Sequence, residues 1–284
     1  MEYYKIKKEI KTDHASPIPE SASDKIYNSI VKIKIKGGFG TGFLMKIKIK
    51  NEELRFLFTC YHIISKRRID SNEVISIIYG KKNKEEKKYI ELNKNERFIK
   101  TFGDQIDVSI IEILDEDGIS DDKFLFPDLN YKYGFDLYTN KDIFLAGYYP
   151  NEERAICSGK LKKIKDYKIF HTIETGEGSS GSPIILKDNI YVIGIHIGGI
   201  EKNKINIGTV IGFILDSLEK ENINIGYIHF LSQKFEKQKN IAYMFGVTLR
   251  KIKNYIDSKD ALNKTYGIDE PIYDLLNDLN NTIQ

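Results

Sequence analysis

Cysteine is scarce in this 284-residue chain: there are two, Cys60 and Cys157, far apart and outside any CxxC or Cys/His zinc spacing. That excludes a disulfide framework and a metal knuckle, and it fits a reducing compartment. Long apolar runs are missing as well. The opening M-E-Y-Y-K-I-K-K-E-I puts lysine and glutamate where a secretory signal needs an unbroken apolar stretch. The longest candidate for a span, Tyr191 to Ile200, contains His196 and three glycines and falls short of the roughly 18 apolar residues of a membrane helix. A soluble cytoplasmic protein without a membrane partner is the expectation. Excess charge is also small: 44 Lys plus Arg against 41 Asp plus Glu leave +3, too little to draw in nucleic acid through the chain as a whole. Hydrophobic residues at 41% and aromatics at 12% exclude the disordered and collagen-like classes. The length allows one large or two small domains of about 150 residues each.

What is present begins with alternation. Residues 1–23, with a Ser/Pro/Ala stretch around Pro17 and Pro19, read as an arm or linker. From Ile30 the sequence I-V-K-I-K-I has the period of two of a half-buried strand. Further strands are expected at Thr41–Lys50, Leu54–Thr59, Val74–Tyr79, Asp107–Leu114, Ile143–Tyr148, Ile184–Leu186, Ile190–His196 and Ile205–Ile211. Short strands separated by Gly- or charge-rich turns favour an all-β sandwich or barrel. The lysine-dense stretch Lys81–Lys88 reads as a solvated hairpin tip. A short helix is expected over Phe213–Lys220, and apolar residues at three- and four-residue spacing from Ile241 to Ile256 and from Ile272 to Leu279 predict a helical C-terminal extension.

The most informative segment is Gly178-Ser179-Ser180-Gly181-Ser182-Pro183. Glycines flanking a serine permit a tight backbone path that exposes the hydroxyl and turns successive N–H groups toward one point. Taken alone it could be an ordinary turn. Two further blocks precede it. Phe58-Thr59-Cys60-Tyr61-His62-Ile63-Ile64 places a histidine at the end of an apolar strand, and Asp107-Val108-Ser109-Ile110-Ile111-Glu112-Ile113 starts another strand with an aspartate. The order His, Asp, Ser and these three blocks resemble the chymotrypsin-like serine peptidases, as do Gly40-Thr41-Gly42-Phe43-Leu44 before the histidine and Asn206-Ile207-Gly208-Thr209-Val210 near the end of the β region. In motif the chain is most similar to the glutamyl endopeptidase, HtrA-type and viral branches.

The resemblance implies two antiparallel β-barrels: residues 24–130 supplying His and Asp, and residues 131–222 supplying Ser, the S1 pocket and a closing helix. Residues 223–284 follow as the helical extension. It implies that Ser180 is the nucleophile, His62 the general base and Asp107 the group that fixes the imidazole. The Gly178 and Ser180 N–H groups would form the oxyanion hole. Thr175 and His196, the latter in Gly194-Ile195-His196-Ile197-Gly198-Gly199, would line S1 and select Glu or Gln. Glu174 instead lies six residues before Ser180, where trypsin-like members carry the acid that binds Lys or Arg. His171 and His229 receive no role. No cofactor and no metal are expected. Departures from the digestive enzymes are equally clear. Ser179 replaces their acidic residue, no I-V-G-G-like site precedes Ile30, and Cys60 lacks a bridging mate, so activation by a new N-terminus is not expected.

Two other readings stand beside a peptidase acting on polypeptides. One is a peptide-binding module of the same fold without turnover. The other is a nucleic-acid-associated regulator, since Lys234–Asn254 resembles a helix-turn-helix with clustered lysines, although a solvated face explains that charge run too.

Overall fold

The computed structural model describes residues 20–49, 52–80, 84–150, 153–200 and 205–220. The expected helical extension, including His229 and the basic segment 234–254, lies outside them, as does most of the N-terminal arm. A helix α1 (Glu20–Ser29) precedes the first strand. Then follow β1 (Ile30–Ile35), β2 (Gly38–Ile49), β3 (Glu52–Thr59), a helical turn α2 (Lys66–Asp70), β4 (Val74–Tyr79), β5 (Glu86–Glu91), β6 (Ile99–Thr101), a second turn α3 (Gly103–Ile106) and β7 (Ser109–Glu112). After a connector of short 3-10 turns come β8 (Asp142–Tyr148), β9 (Arg154–Lys165), β10 (Lys168–His171), β11 (Pro183–Leu186), β12 (Val192–Ile200), β13 (Ile205–Val210) and helix α4 (Ile211–Lys220).

The strands form two antiparallel sheets, the all-β arrangement that the residue pattern predicts. The first is a half-barrel of order β5-β4-β1-β2-β3-β7-β6, and the second is a closed six-stranded barrel, β10-β13-β12-β11-β8-β9. Alternation along β2 and β3 explains why the first sheet is covered on both faces. Leu44 stands opposite Leu57, and Phe43 opposite Phe58. The leucines join a core with Val31, Ile33, Ile75, Ile77, Ile90 and Ile111. Phe43 and Phe58 stack on the other face with ring centroids 5.4 Å apart. All four side chains are fully buried, and each contributes on the order of 1.5–3 kcal/mol relative to exposure. That investment holds the end of β3, where His62 follows, in a fixed place. The connector touches both sheets: Leu125 exchanges backbone hydrogen bonds with Leu44 and Lys46 of β2, while Phe126 and Asp128 bond Val192 of β12.

Candidate active site

His62 sits on a tight turn directly after β3. The Cys60 carbonyl accepts from the N–H groups of Ile63 and Ile64 at 3.2 and 3.1 Å, and Ile63 and Ile64 are themselves buried in the first core. The Ser109 hydroxyl donates to the Ile64 carbonyl at 2.7 Å and so pins the turn from β7. Asp107 closes α3 in the left-handed region, φ 56°, with its N–H on the Gly103 carbonyl at 2.7 Å. Aspartate is one of the few residues with a side chain that tolerates this conformation. The Thr209 hydroxyl donates to the neighbouring Ile106 carbonyl at 2.6 Å, so the barrel also braces the aspartate.

The two side chains meet. One Asp107 oxygen accepts the His62 backbone N–H at 2.9 Å and the other lies 2.7 Å from the His62 Nδ1. A carboxylate is acceptor-only, so Nδ1 carries the hydrogen and Nε2 is left as the basic nitrogen. Asp107 is buried, whereas the His62 side chain is 48% exposed.

Ser180 lies half-buried on the loop after β10. Within residues 178–182 the N–H groups divide by use. Ser179 donates to Gly176, Gly181 to His196 and Ser182 to Ser179, at 2.8–3.0 Å. Those of Gly178 and Ser180 have no acceptor among the described residues. Two left-handed glycines make this path possible, Gly178 at φ +97° and Gly181 at φ +88°; a Cβ on the first would collide with the Phe39 ring and on the second with the Thr41 carbonyl.

Thr41 ties this loop to the first sheet. Its hydroxyl donates to the Gly178 carbonyl at 2.7 Å and accepts the Tyr148 N–H at 2.9 Å. Its own N–H donates to the Ser180 carbonyl at 3.0 Å. The His196 carbonyl adds a second tie by accepting the Gly181 N–H at 2.8 Å and the Cys60 thiol at 3.3 Å. One oxygen thus links the residue after Ser180 to the residue two before His62. Sequence reasoning places Thr41 only as part of a G-T-G-F strand and gives Cys60 no role, because their partners are more than 100 residues away.

His196, on β12, and Thr175 are buried, and the His196 Nε2 and Thr175 Oγ1 each lack a hydrogen-bond partner. Burial is the main cause that depresses the His196 pKa to about 3; the positive charge His62 can carry adds to it, and only the Ile207 carbonyl opposes it. Burial chiefly raises the pKa of the Cys157 thiol, with a further push from the charge of Glu174. Its carbonyl and that thiol share the Tyr149 hydroxyl, at 3.1 Å each. For a metal, Cys60, His62 and Asp107 offer ligand atoms within 4.8 Å of one another, but the thiol and both carboxylate oxygens already have protein partners.

A family model described as the trypsin-like peptidase domain matches residues 40–195. Among solved structures, the active form of the Rv3671c protease from M. tuberculosis superposes with a TM-score of 0.50 at 16% identity, covering 77% of this chain and 92% of that one. The inactive form of Rv3671c from M. tuberculosis H37Rv gives 0.50 at 16% identity over 74% and 96%. Deg5 gives 0.51 at 18% identity over 69% and 90%. At such identities the likeness concerns the fold. A search of curated protein sequences returns no match.

Proposed function

The chain belongs to the trypsin-like peptidase family and is a serine endopeptidase acting on polypeptides; from that premise we propose that His62, Asp107 and Ser180 form its catalytic triad. The Ser180 hydroxyl attacks the scissile carbonyl as the His62 Nε2 takes its proton, because a serine hydroxyl is too weak an acid to attack an amide unaided. Asp107 holds the ring in the productive tautomer and stabilises the imidazolium that forms. The Gly178 and Ser180 N–H groups stabilise the oxyanion, and His62 then passes its proton to the leaving amine. Water repeats the sequence on the acyl-enzyme.

The observation that carries this reading is the double hold of Asp107 on His62, through the ring at 2.7 Å and the backbone at 2.9 Å. The undonated N–H groups of Gly178 and Ser180 support the oxyanion assignment. A fluorophosphonate probe tests it. Wild-type protein is labelled and cleaves peptides; Ser180→Ala loses the label and about 10⁶-fold in kcat, and Asp107→Asn loses as much as about 10⁴-fold. Wild-type protein that binds peptide but takes up no probe would instead be a binding module.

For specificity, Thr175 and His196 are the S1 residues of this reading, with Glu or Gln before the scissile bond. Support comes from two buried polar atoms without partners, which a substrate carboxamide or carboxylate would satisfy. The alternative reading takes Glu174 as the acid of a Lys/Arg pocket.

A further inference from the structure

The hairpin of β9 and β10 carries charge that the triad does not use. Lys165 stands directly opposite Lys168, and Lys163 directly opposite Phe170, so alternation along each strand puts the three lysines on one face of the barrel wall. Like charges opposed across a strand pair work against folding, and no carboxylate relieves them. Lys160 pairs with Asp142 at 3.0 Å, whereas Lys163, Lys165 and Lys168 have no acidic partner among the described residues. Asp166, in the turn between the strands, and Asp104, on α3, are the exposed acids of the neighbourhood. Lys163 lies over the Phe170 ring at 5.1 Å and Lys168 over the Tyr167 ring at 5.7 Å; such contacts orient an ammonium group without cancelling its charge. This face looks toward the first sheet. Lys168 stands opposite Thr209 of β13, and Phe170 opposite Ile207. The Thr209 hydroxyl donates to the Ile106 carbonyl, next to Asp107, while Ile207 belongs to the core of the first sheet and Phe170 packs against that core. The Tyr167 hydroxyl donates to the Gln105 carbonyl at 3.3 Å. These contacts hold the lysine hairpin against α3, the turn that Asp107 closes.

We propose that the lysine face of β9 and β10 binds an acidic stretch of the polypeptide substrate, away from the scissile bond, and so selects substrates by charge. The proposal rests on the reading of His62, Asp107 and Ser180 as the triad, because that reading makes the seam beside α3 the place where substrate lies. An extended chain rises about 3.3 Å per residue and turns alternate side chains to one side. Acids at every second position therefore repeat at the spacing of Lys163 and Lys165, and a carboxylate between Lys165 and Lys168 would relieve their opposition. Nucleic acid fits less well. A single strand needs aromatic faces on which its bases stack, and here the Phe170 ring is taken by Lys163 and the first core, and the Tyr167 ring by Phe213, with centroids 5.3 Å apart.

Peptides that share the residues around the scissile bond supply the test: one extended by an acidic run before it, one by an acidic run after it, and one by Ser/Gly runs on both sides. Ser180 probe labelling checks that each variant is folded and active. At low salt the wild type should cleave one of the acidic peptides with about three- to thirtyfold higher kcat/KM than the neutral one, the size expected of a few exposed ion pairs. The gain should lie in KM, and it should fade at about 1 M salt, where screening acts within roughly 3 Å. Lys163→Glu, Lys165→Glu and Lys168→Glu together should abolish the gain and favour a lysine-extended peptide instead. Where that variant takes up no probe, Lys163→Gln with Lys165→Gln replaces it and should lose most of the gain. No gain in labelled wild type at low salt, or the full gain in a labelled variant, overturns the proposal. Salt-sensitive binding of a single-stranded oligonucleotide without an acidic-peptide gain would assign the face to nucleic acid and overturn it as well. If wild-type protein takes up no probe, the triad reading fails by itself, and the anisotropy of a fluorescent acidic peptide then decides: binding that salt and the lysine variants abolish supports the proposal, and no binding overturns it.

Discussion

Thr41 shows how much can depend on one hydroxyl. Its oxygen both donates to the Gly178 carbonyl and accepts the Tyr148 N–H. Valine has nearly the same shape but can do neither, so Thr41→Val would leave two backbone groups unpaired in a buried place. The expected loss is about 1–3 kcal/mol of stability. The nucleophile loop would also shift, and displacement on the scale of 1 Å can cost roughly a hundredfold in rate. Urea unfolding together with kcat/KM measures both, and Thr41→Ser should stay near the wild type in each. A valine variant with wild-type rate and stability would show that the loop is held by other contacts.

At the scale of strands, β10 and β12 place His171 and His196 side by side across β13, which pairs with both. That arrangement predicts acid sensitivity. In the unfolded chain each histidine titrates near 6.5, whereas in the barrel His171 is held well below that value and His196 at about 3, in both cases first by burial. The unfolded state therefore binds protons that the folded state refuses. Stability is complete above about pH 6.5 and falls as pH drops from there toward 3, by up to about 1.4 kcal/mol per pH unit for each ring. Urea midpoints at pH 8, 6.5 and 5.5, where carboxylates remain ionised, should fall on the acid side, and replacing both histidines with phenylalanine should flatten the curve. A flat wild-type profile would refute it. The same two strands mark the limit of what the sequence discloses. β1, β4 and β13 stand where their isoleucines and valines predict them, β8 where its apolar Ile143–Tyr148 does, and β12 is dense in isoleucine and glycine. β9 and β10 escape such a reading because lysines crowd them and few residues, among them Leu161 and Ile169, are fully buried. β6 is only three residues long. His62 and Asp107 are legible because each sits in a recognisable block at a strand end. His171 is not, since its meaning comes from a partner two strands away in the barrel, and only pairing register brings the two together.

Across the molecule, the proposed triad draws on both sheets, and neither would complete it alone. His62 and Asp107 belong to the half-barrel and Ser180 to the barrel, joined by Thr41 and by the His196 carbonyl. In unfolded protein diluted into buffer, peptidase activity should return with the rate constant of sheet docking, measured by tertiary fluorescence or near-UV signals. Earlier recovery, while the sheets are still apart, would contradict the assignment of Thr41 as the tie. The separation of the bonded groups along the chain gives this a temporal meaning. Thr41 is synthesised 137 residues before Gly178, so a ribosome that has finished the half-barrel has made a base and its aspartate but no nucleophile. The later serine gains its scaffold only when the barrel closes onto finished strands. Until that closure the nascent chain carries the proposed base without the proposed nucleophile.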